Sequence, residues 1–269
     1  MKLGMEGFHA IVTGGTRGIG KAIVEALLKE GVNVSYCARS VTGTEFNEFL
    51  ANATPEAGVS RLGQASGSVL DISKTDDIEP WVEKTIGEFG RLDVLVSNAS
   101  PMLSSPTLED WTTSFYADIL ACVAIVNACQ IHLAATRGSV LINGSAAQRE
   151  SVIFPGTGGR ASPYGAIKAA LAQHANNMAK ELGPKGIRVN TLAPGLIKFV
   201  GSNWEKAVQY FPDDVKPFLD RVALDSPEGR WGTVAEVADA ALYLVSPRAG
   251  YVSGATLLVT GAFHIATAF

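Results

Sequence analysis

The chain has 269 residues, is 47% hydrophobic and 18% charged, and carries a formal net charge of −4. That length and apolar content suit one large globular domain with an ample core, and the mild acidity argues against a nucleic-acid surface. No uninterrupted apolar run approaches the ~20 residues of a membrane span, the first residues lack the apolar core of a signal peptide, and Cys37, Cys122 and Cys129 lie at no metal-ligand spacing, so a cytoplasmic protein without a metal or a disulfide set is expected.

Short apolar, β-branched runs alternate with helical patterns along the chain. Strands are predicted at 10–12, 32–36, 68–70, 94–96, 140–142, 188–190 and 256–259, and helices near 19–29, 43–52, 75–88, 108–134, 163–182 and 234–245. Seven strands alternating with six helices imply parallel crossovers and an α/β fold. Parallel strands are covered on both faces, which is why they read as apolar runs rather than alternations. No linker or repeat divides residues 1–269, so one domain is expected. The stretch 198–232 breaks the rhythm with Phe199, Trp204, Tyr210, Phe211 and Phe218 among prolines and charges, and reads as a substrate lid.

The run Thr13-Gly14-Gly15-Thr16-Arg17-Gly18-Ile19-Gly20 follows the first strand and opens the first helix. Glycines in that context let the backbone approach a pyrophosphate, and the helix N-terminus favours its negative charge. The second strand ends in Tyr36-Cys37-Ala38-Arg39-Ser40, with no carboxylate to bind a ribose 2′-hydroxyl. Arg39 there and Arg17 in the glycine loop suit a 2′-phosphate, because guanidinium binds phosphate as a fork. NADP(H) is therefore expected ahead of NAD(H).

Tyr164 and Lys168 stand four apart in S-P-Y-G-A-I-K and share one helix face. A phenol with an ordinary pKa near ~10 is a poor acid or base at neutral pH, and a shift of three units takes roughly 4 kcal/mol. A close ammonium favours the phenolate and can supply much of that. Ser145 closes the run 138–145, which puts it at the carboxyl end of the fifth strand, the edge where open α/β sheets bind ligands.

Together the glycine motif at 13–20, the Ser97-Asn98-Ala99-Ser100 turn, Ser145, Tyr164-x3-Lys168 and Pro194-Gly195 resemble the short-chain dehydrogenase/reductase family over about residues 7–261. The resemblance implies a single doubly wound Rossmann domain, with helices on both faces of a seven-stranded parallel sheet. It implies that Gly14, Thr16, Arg17, Gly18 and Ile19 contact cofactor phosphates and ribose, with Arg39 and Ser40 at the adenosine ribose. Asp71 would hydrogen-bond the adenine with Ile72 beside it, and Asn98 and Ala99 would border the ribose. Pro194, Gly195 and Ile197 would frame the nicotinamide. Tyr164 would be the general acid for ketone reduction, Lys168 its partner and a ribose ligand, and Ser145 the group that orients the substrate oxygen. No metal is required. The family commonly forms homotetramers or homodimers through its two long helices.

Four departures from the family pattern stand out. Asp118, seven residues after Trp111, occupies the place of the usual relay asparagine. Trp111, Phe115, Asp118, Cys122, Ile125 and Cys129 fall on one helical stripe, so Asp118 is expected to face inward and to pair with Lys168, directly or through water. The gap from Ser145 to Tyr164 is 19 residues (164 − 145), longer than usual, and makes Ser151 a rival for the serine role. Phe199 replaces a common threonine. Ser97 and Ser100 replace the usual Asn and Gly, with little effect expected.

These features predict an NADPH-dependent reductase of a carbonyl on a largely apolar small molecule, reversible as an alcohol dehydrogenase, with Ser145, Phe154, Phe199 and Trp204 at the substrate. The rivals are imine reduction or isomerisation on the same scaffold, and a non-catalytic NADP(H)-binding sensor. Enoyl reduction of the related type is disfavoured, since those relatives space the Tyr and Lys further apart and residue 171 is Leu171.

Overall fold

The computed structural model describes residues 2–149, 160–210, 213, 215–217, 219–220 and 227–262. Its first half runs β1 (His9–Thr13), α1 (Gly18–Lys29), β2 (Asn33–Ala38), α2 (Asn47–Asn52), β3 (Ala65–Val69), α3 (Ile78–Phe89) and β4 (Val94–Ser97). A long helix follows in three parts, α4 (Leu108–Ser114), a π-helical turn (Phe115–Leu120) and α5 (Ala121–Thr136). The second half holds β5 (Ser139–Asn143), α6 (Pro163–Leu182), β6 (Arg188–Pro194), β7 (Ile197–Lys198), α7 (Asn203–Tyr210), β8 (Gly232–Thr233), α8 (Val234–Val245) and β9 (Thr256–Val259).

Seven strands form one sheet in the order β3-β2-β1-β4-β5-β6-β9, every pairing parallel. This is a Rossmann-like sheet whose direction of winding reverses between β1 and β4, which leaves a crevice at their carboxyl ends. Alternate residues along the inner strands feed two separate cores. Ala10, Val12, Val94 and Val96 pack under α1 and α8, while Ile11, Leu95, Val140 and Ile142 pack under α3, α5 and α6. Burial on both faces explains the unbroken apolar runs.

The element boundaries moved where local chemistry outweighs pattern. The predicted helix at 43–52 begins only at Asn47, because Gly43 sits at φ +80° and Thr42 and Thr44 fold into a side-chain-bonded turn before it. The helix predicted from 75 starts as a 3₁₀ turn, Thr75–Asp77, and becomes α-helical at Ile78. β3 begins three residues earlier than predicted, drawn out by its pairing with β2. The two-residue strands β7 and β8, absent from the sequence reading, pair in parallel and clasp the base of the aromatic segment between them.

The helical stripe was half right. Asp118, Cys122, Ile125 and Cys129 are buried, but Trp111 and Phe115 are 37% and 46% exposed. The π turn holds fewer degrees of rotation per residue than an α-helix. Upstream of it the buried face therefore moves to Ser114. By length and composition the span Leu108–Thr136 is apolar enough to cross a membrane, more so than its unbroken runs suggested. Its buried face carries Ile125, Val126, Cys129 and Leu133 into the core beneath β4 and β5, as a core helix does.

Two polar groups tie the ends of the sheet. Arg188, opening β6, donates to the carbonyls of Leu244, Val245, Ser246 and Val252 at 2.7–3.4 Å and so satisfies the C-terminus of α8. His9, opening β1, is fully buried; its Nδ1 donates to the Arg91 carbonyl at 2.5 Å, so Nε2 accepts from the Ser35 hydroxyl at 2.9 Å. Burial pushes the His9 imidazole below its ordinary 6.5. A depressed folded value gives stability that is present above pH 6.5 and is lost as the pH falls through it. Thermal melts should therefore lose ground progressively below pH 6.5. His9→Gln should flatten that acid limb while lowering stability at pH ~7.5 by about 1–3 kcal/mol, the cost of disturbing buried hydrogen bonds.

Candidate active site

At the carboxyl edge of the sheet the chain turns sharply after β1. Gly14 and Gly18 adopt φ +69° and +55°, conformations that glycine accepts without strain. The loop is pinned from three sides. The Cys37 carbonyl accepts from the N–H groups of Gly14 and Gly15 at 2.8 and 3.3 Å. Thr13 Oγ1 accepts from the backbone of Asn98 and Ala99 at 2.9 and 3.0 Å. Asn98 Nδ2 donates to the Thr13 and Gly14 carbonyls at 2.9 and 3.3 Å, and its Oδ1 accepts from Asn143 Nδ2 at 2.8 Å. The Asn98 side chain, expected beside a ribose, is thus spent on building the loop, although the residue does border the crevice. A Cβ at Gly20 would stand 2.2 Å from the Gly14 carbonyl oxygen and 2.5 Å from Asn98 Nδ2, so this packing requires glycine.

This edge fits a dinucleotide. The N-terminus of α1 has no side-chain cap and no acidic residue in its first turn, which leaves its N–H donors to a diphosphate. Arg17, Arg39 and Ser40 are exposed around it, Thr16 is half-buried, and Ile19 packs partly on the first core. Asp71 sits beyond β3, where its Oδ1 accepts from the Ser73 hydroxyl and N–H at 2.8 and 3.1 Å. Those bonds, aided by the Arg39 charge, hold its carboxyl below the usual range. Ile72 packs against the second core. Pro194 is buried, and Gly195 N donates to Val259 O at 3.0 Å. Ile197 is 5% exposed within the first core, so only its backbone can face a nicotinamide.

The ring of Phe199, expected as a substrate wall, lies against the glycine loop; a Cβ on Gly18 would come within 2.7 Å of it. The short β7–β8 clasp aims the residue after β7 at the phosphate loop. Trp204 is half-buried in the first turn of α7. Phe154 and the rival Ser151 lie outside the described residues.

The proton-transfer groups converge next to this loop. Ser145 caps the 3₁₀ turn Ala146–Gln148; its Oγ accepts from Ala147 N at 3.2 Å, and Gln148 Oε1 accepts from Ser145 N at 3.3 Å. An accepting Oγ leaves the hydroxyl hydrogen free to point elsewhere. α6 docks on that turn so closely that a Cβ at Gly165 would meet the Ala147 carbonyl at 2.8 Å. Tyr164, in the first turn of α6, is half-buried, and the Lys168 ammonium lies 5.9 Å from its ring centroid.

Lys168 is 3% exposed and Asp118 is 5% exposed. Lys168 Nζ donates to Asp118 Oδ1 at 2.9 Å and to the Asn143 carbonyl at 3.2 Å. The pairing is direct, without a bridging water. Burial alone would depress the ammonium, but the Asp118 carboxylate, with Tyr164 and Cys122 behind it, holds it above the usual lysine range. Ser100 Oγ donates to Asp118 Oδ2 at 3.1 Å, a contact that the sequence pattern does not signal. The Cys122 thiol, pushed up to about 11 by burial, bonds Ser97 and stays neutral beside the pair. Asn143, whose carbonyl and amide join Lys168 to Asn98, was also missed; its position two before Ser145 was the available signal. Arg149, which ends the Ser145 turn, keeps Nη1 buried with no hydrogen-bond partner among the described residues.

Known proteins resemble this chain over nearly its whole length. A family profile described as Enoyl-(Acyl carrier protein) reductase matches residues 14–264. Isoepoxydon dehydrogenase patN of Penicillium expansum is 38% identical over 267 residues, covering 99% of this chain and 98% of the relative. 3-Oxoacyl-[acyl-carrier-protein] reductase FabG of Vibrio cholerae is 30% identical over 268 residues, covering 98% of this chain and 100% of the relative. The crystal structure of Cj0485 dehydrogenase superposes with a TM-score of 0.85 at 24% identity, covering 99% of this chain and 98% of that one, and so shares the fold. With its glycine loop, its Ser145, Tyr164 and Lys168, and full-length relatives of this kind, the chain belongs to the short-chain dehydrogenase/reductase family, whose members are nicotinamide-dependent oxidoreductases of small molecules.

Proposed function

We propose that this protein is an NADPH-dependent carbonyl reductase, reversible as an alcohol dehydrogenase. The observation that carries the reading is the buried Lys168, held by Asp118 and Asn143 with its charge directed at Tyr164 beside Ser145. Nicotinamide, when bound, supplies the hydride. Ser145 turns its free hydroxyl hydrogen toward the carbonyl oxygen and fixes the substrate face. Tyr164 delivers the proton to that oxygen as charge develops there. Two of the three Lys168 donors are held by Asp118 and Asn143, which leaves the third for the nicotinamide ribose while the ammonium charge acts on the phenol through space. Arg17 and Arg39 favour the 2′-phosphate of NADPH.

The segment between β7 and β8 is read as the lid, with Trp204 on it, over a largely apolar substrate. Similarity to isoepoxydon dehydrogenase makes isoepoxydon the first compound to assay. The exposed Trp111, Phe115, Tyr116 and Ile131 on the long helix support a homodimer or homotetramer through that helix and α6.

The test is turnover of NADPH with panels of ketones and imines, and of NADP with isoepoxydon. Tyr164→Phe should lower kcat/KM by about 10²–10⁴-fold, the usual contribution of a general acid, while NADPH binding followed by fluorescence is retained. Cofactor binding without turnover on any panel would mark a sensor, and response to imines alone an imine reductase. A second variant addresses the cofactor. Arg39→Asp should weaken NADPH binding by about 10–100-fold, the equivalent of a lost hydrogen bond to a charged group at ~1.5–3 kcal/mol, and leave NADH binding level or improved. Equal loss for both cofactors would remove Arg39 from the 2′-phosphate.

A further inference from the structure

Two departures from the family pattern touch each other. Asp118 brings a second carboxylate oxygen into a buried site where an amide is usual, and Ser100 brings a hydroxyl where glycine is usual. Lys168 uses Oδ1 at 2.9 Å, and the Ser100 hydroxyl meets Oδ2 at 3.1 Å. The same Ser100 oxygen accepts from Met102 N at 3.2 Å, which fixes the loop in which Met102 holds a left-handed φ of 51°. The hydroxyl hydrogen therefore has one direction to go, toward the carboxylate.

We propose that Ser100 is a positioning residue that acts through Asp118 and sets how much of the Lys168 charge reaches Tyr164. A carboxylate at full charge density, 2.9 Å from the ammonium, screens that ammonium from the phenol. A hydrogen bond donated to the far oxygen draws electron density away and locks the carboxylate plane. Ser100 in this way restores part of the pull that the exchange of amide for carboxylate removes. The loop 99–102 becomes the outer end of a hydroxyl–carboxylate–ammonium chain that runs from the surface to the proton donor. Among the described residues, the other groups facing the pair are Cys122 from α5, the Asn143 carbonyl from β5, Ser97 from β4 and Tyr164 itself. Cys122 is neutral across the working range, since burial pushes it up to about 11.

The inference rests on the reductase reading for its kinetic consequence, so its main test needs no turnover. In the cofactor-free protein, ultraviolet difference titration follows tyrosinate, and the Tyr164 signal is the one lost in Tyr164→Phe. Ser100→Ala should move that midpoint up by roughly 0.5–1 pH unit, a fraction of the 1–3 units a full neighbouring charge produces. Asp118→Asn should move it down, and Ser100→Thr, which keeps the hydroxyl, should restore the wild-type value. Where alanine perturbs the loop, Ser100→Gly gives the same reading with the residue usual in the family. An unchanged midpoint in Ser100→Ala and Ser100→Gly, a shift in the same direction as Asp118→Asn, or failure of threonine to restore it would overturn the proposal. The acid limb of alcohol oxidation should follow the titration. Absence of turnover with the titration shifts intact would instead count against the reductase reading alone.

Discussion

The Lys168–Asp118 ion pair is the constraint around which the rest of this molecule is arranged. Both side chains are almost fully removed from water, at 4% and 3% exposure. An ammonium in that position needs polar acceptors in contact, and losing one partner of a buried ion pair costs about 3–5 kcal/mol. The pair joins the two long helices on either side of β5 in the chain, Asp118 from the π-helical turn and Lys168 from α6. It also fixes the depth at which α6 enters, because Lys168 must reach both Asp118 and the carbonyl of Asn143. Once α6 is set, Tyr164 is set one turn earlier, and the close approach of Gly165 to Ala147 brings the Ser145 turn against it.

A second clasp connects this catalytic half to the cofactor half. Asn143 lends its carbonyl to Lys168 and its amide to Asn98, and Asn98 in turn holds the Thr13 and Gly14 carbonyls. A displacement of the glycine loop is thereby felt within three hydrogen-bonded steps at the lysine. Asn143 Oδ1 itself is buried with no hydrogen-bond partner among the described residues. An unsatisfied acceptor at the junction of two rigid halves is a local cost, of the kind that accumulates at functional sites rather than in plain cores.

Much of this was legible in the sequence because the governing signals are short in range or strongly periodic. The five inner strands β1, β2, β4, β5 and β6 were recoverable from buried apolar runs, the edge strands β3 and β9 being only part-buried, and α6 and α8 matched their predicted bounds, 163–182 and 234–245. Glycines before a helix, and a Tyr and Lys one turn apart, carry their chemistry within eight residues. What escaped depends on contacts between distant segments. The π turn at Phe115–Leu120 leaves no compositional mark, so a stripe drawn at constant period went astray at Trp111 and Phe115. Strands β7 and β8 are two residues each, below any pattern, yet their pairing precedes Phe199 directly and leaves its ring against Gly18. Ser100 looked inert because its partner lies 18 residues away.

The exchange of asparagine for aspartate has a physical logic that concerns stability as much as catalysis. A buried lysine facing an amide keeps its whole charge for the phenol, but it must be desolvated without a counter-ion. A carboxylate offsets part of that penalty by direct attraction, while adding its own desolvation cost, and makes the site electrically neutral at the expense of the field that activates the tyrosine. The carboxylate also brings more acceptor sites than one ammonium can fill, and an unfilled acceptor in a low-dielectric pocket is itself costly. A hydroxyl at position 100 answers that need from a loop that would otherwise carry glycine, and it does so without adding charge. The aspartate and the serine are therefore one solution to a single problem, which is how to bury a permanent cation beside a proton donor and still leave the donor within reach of its charge.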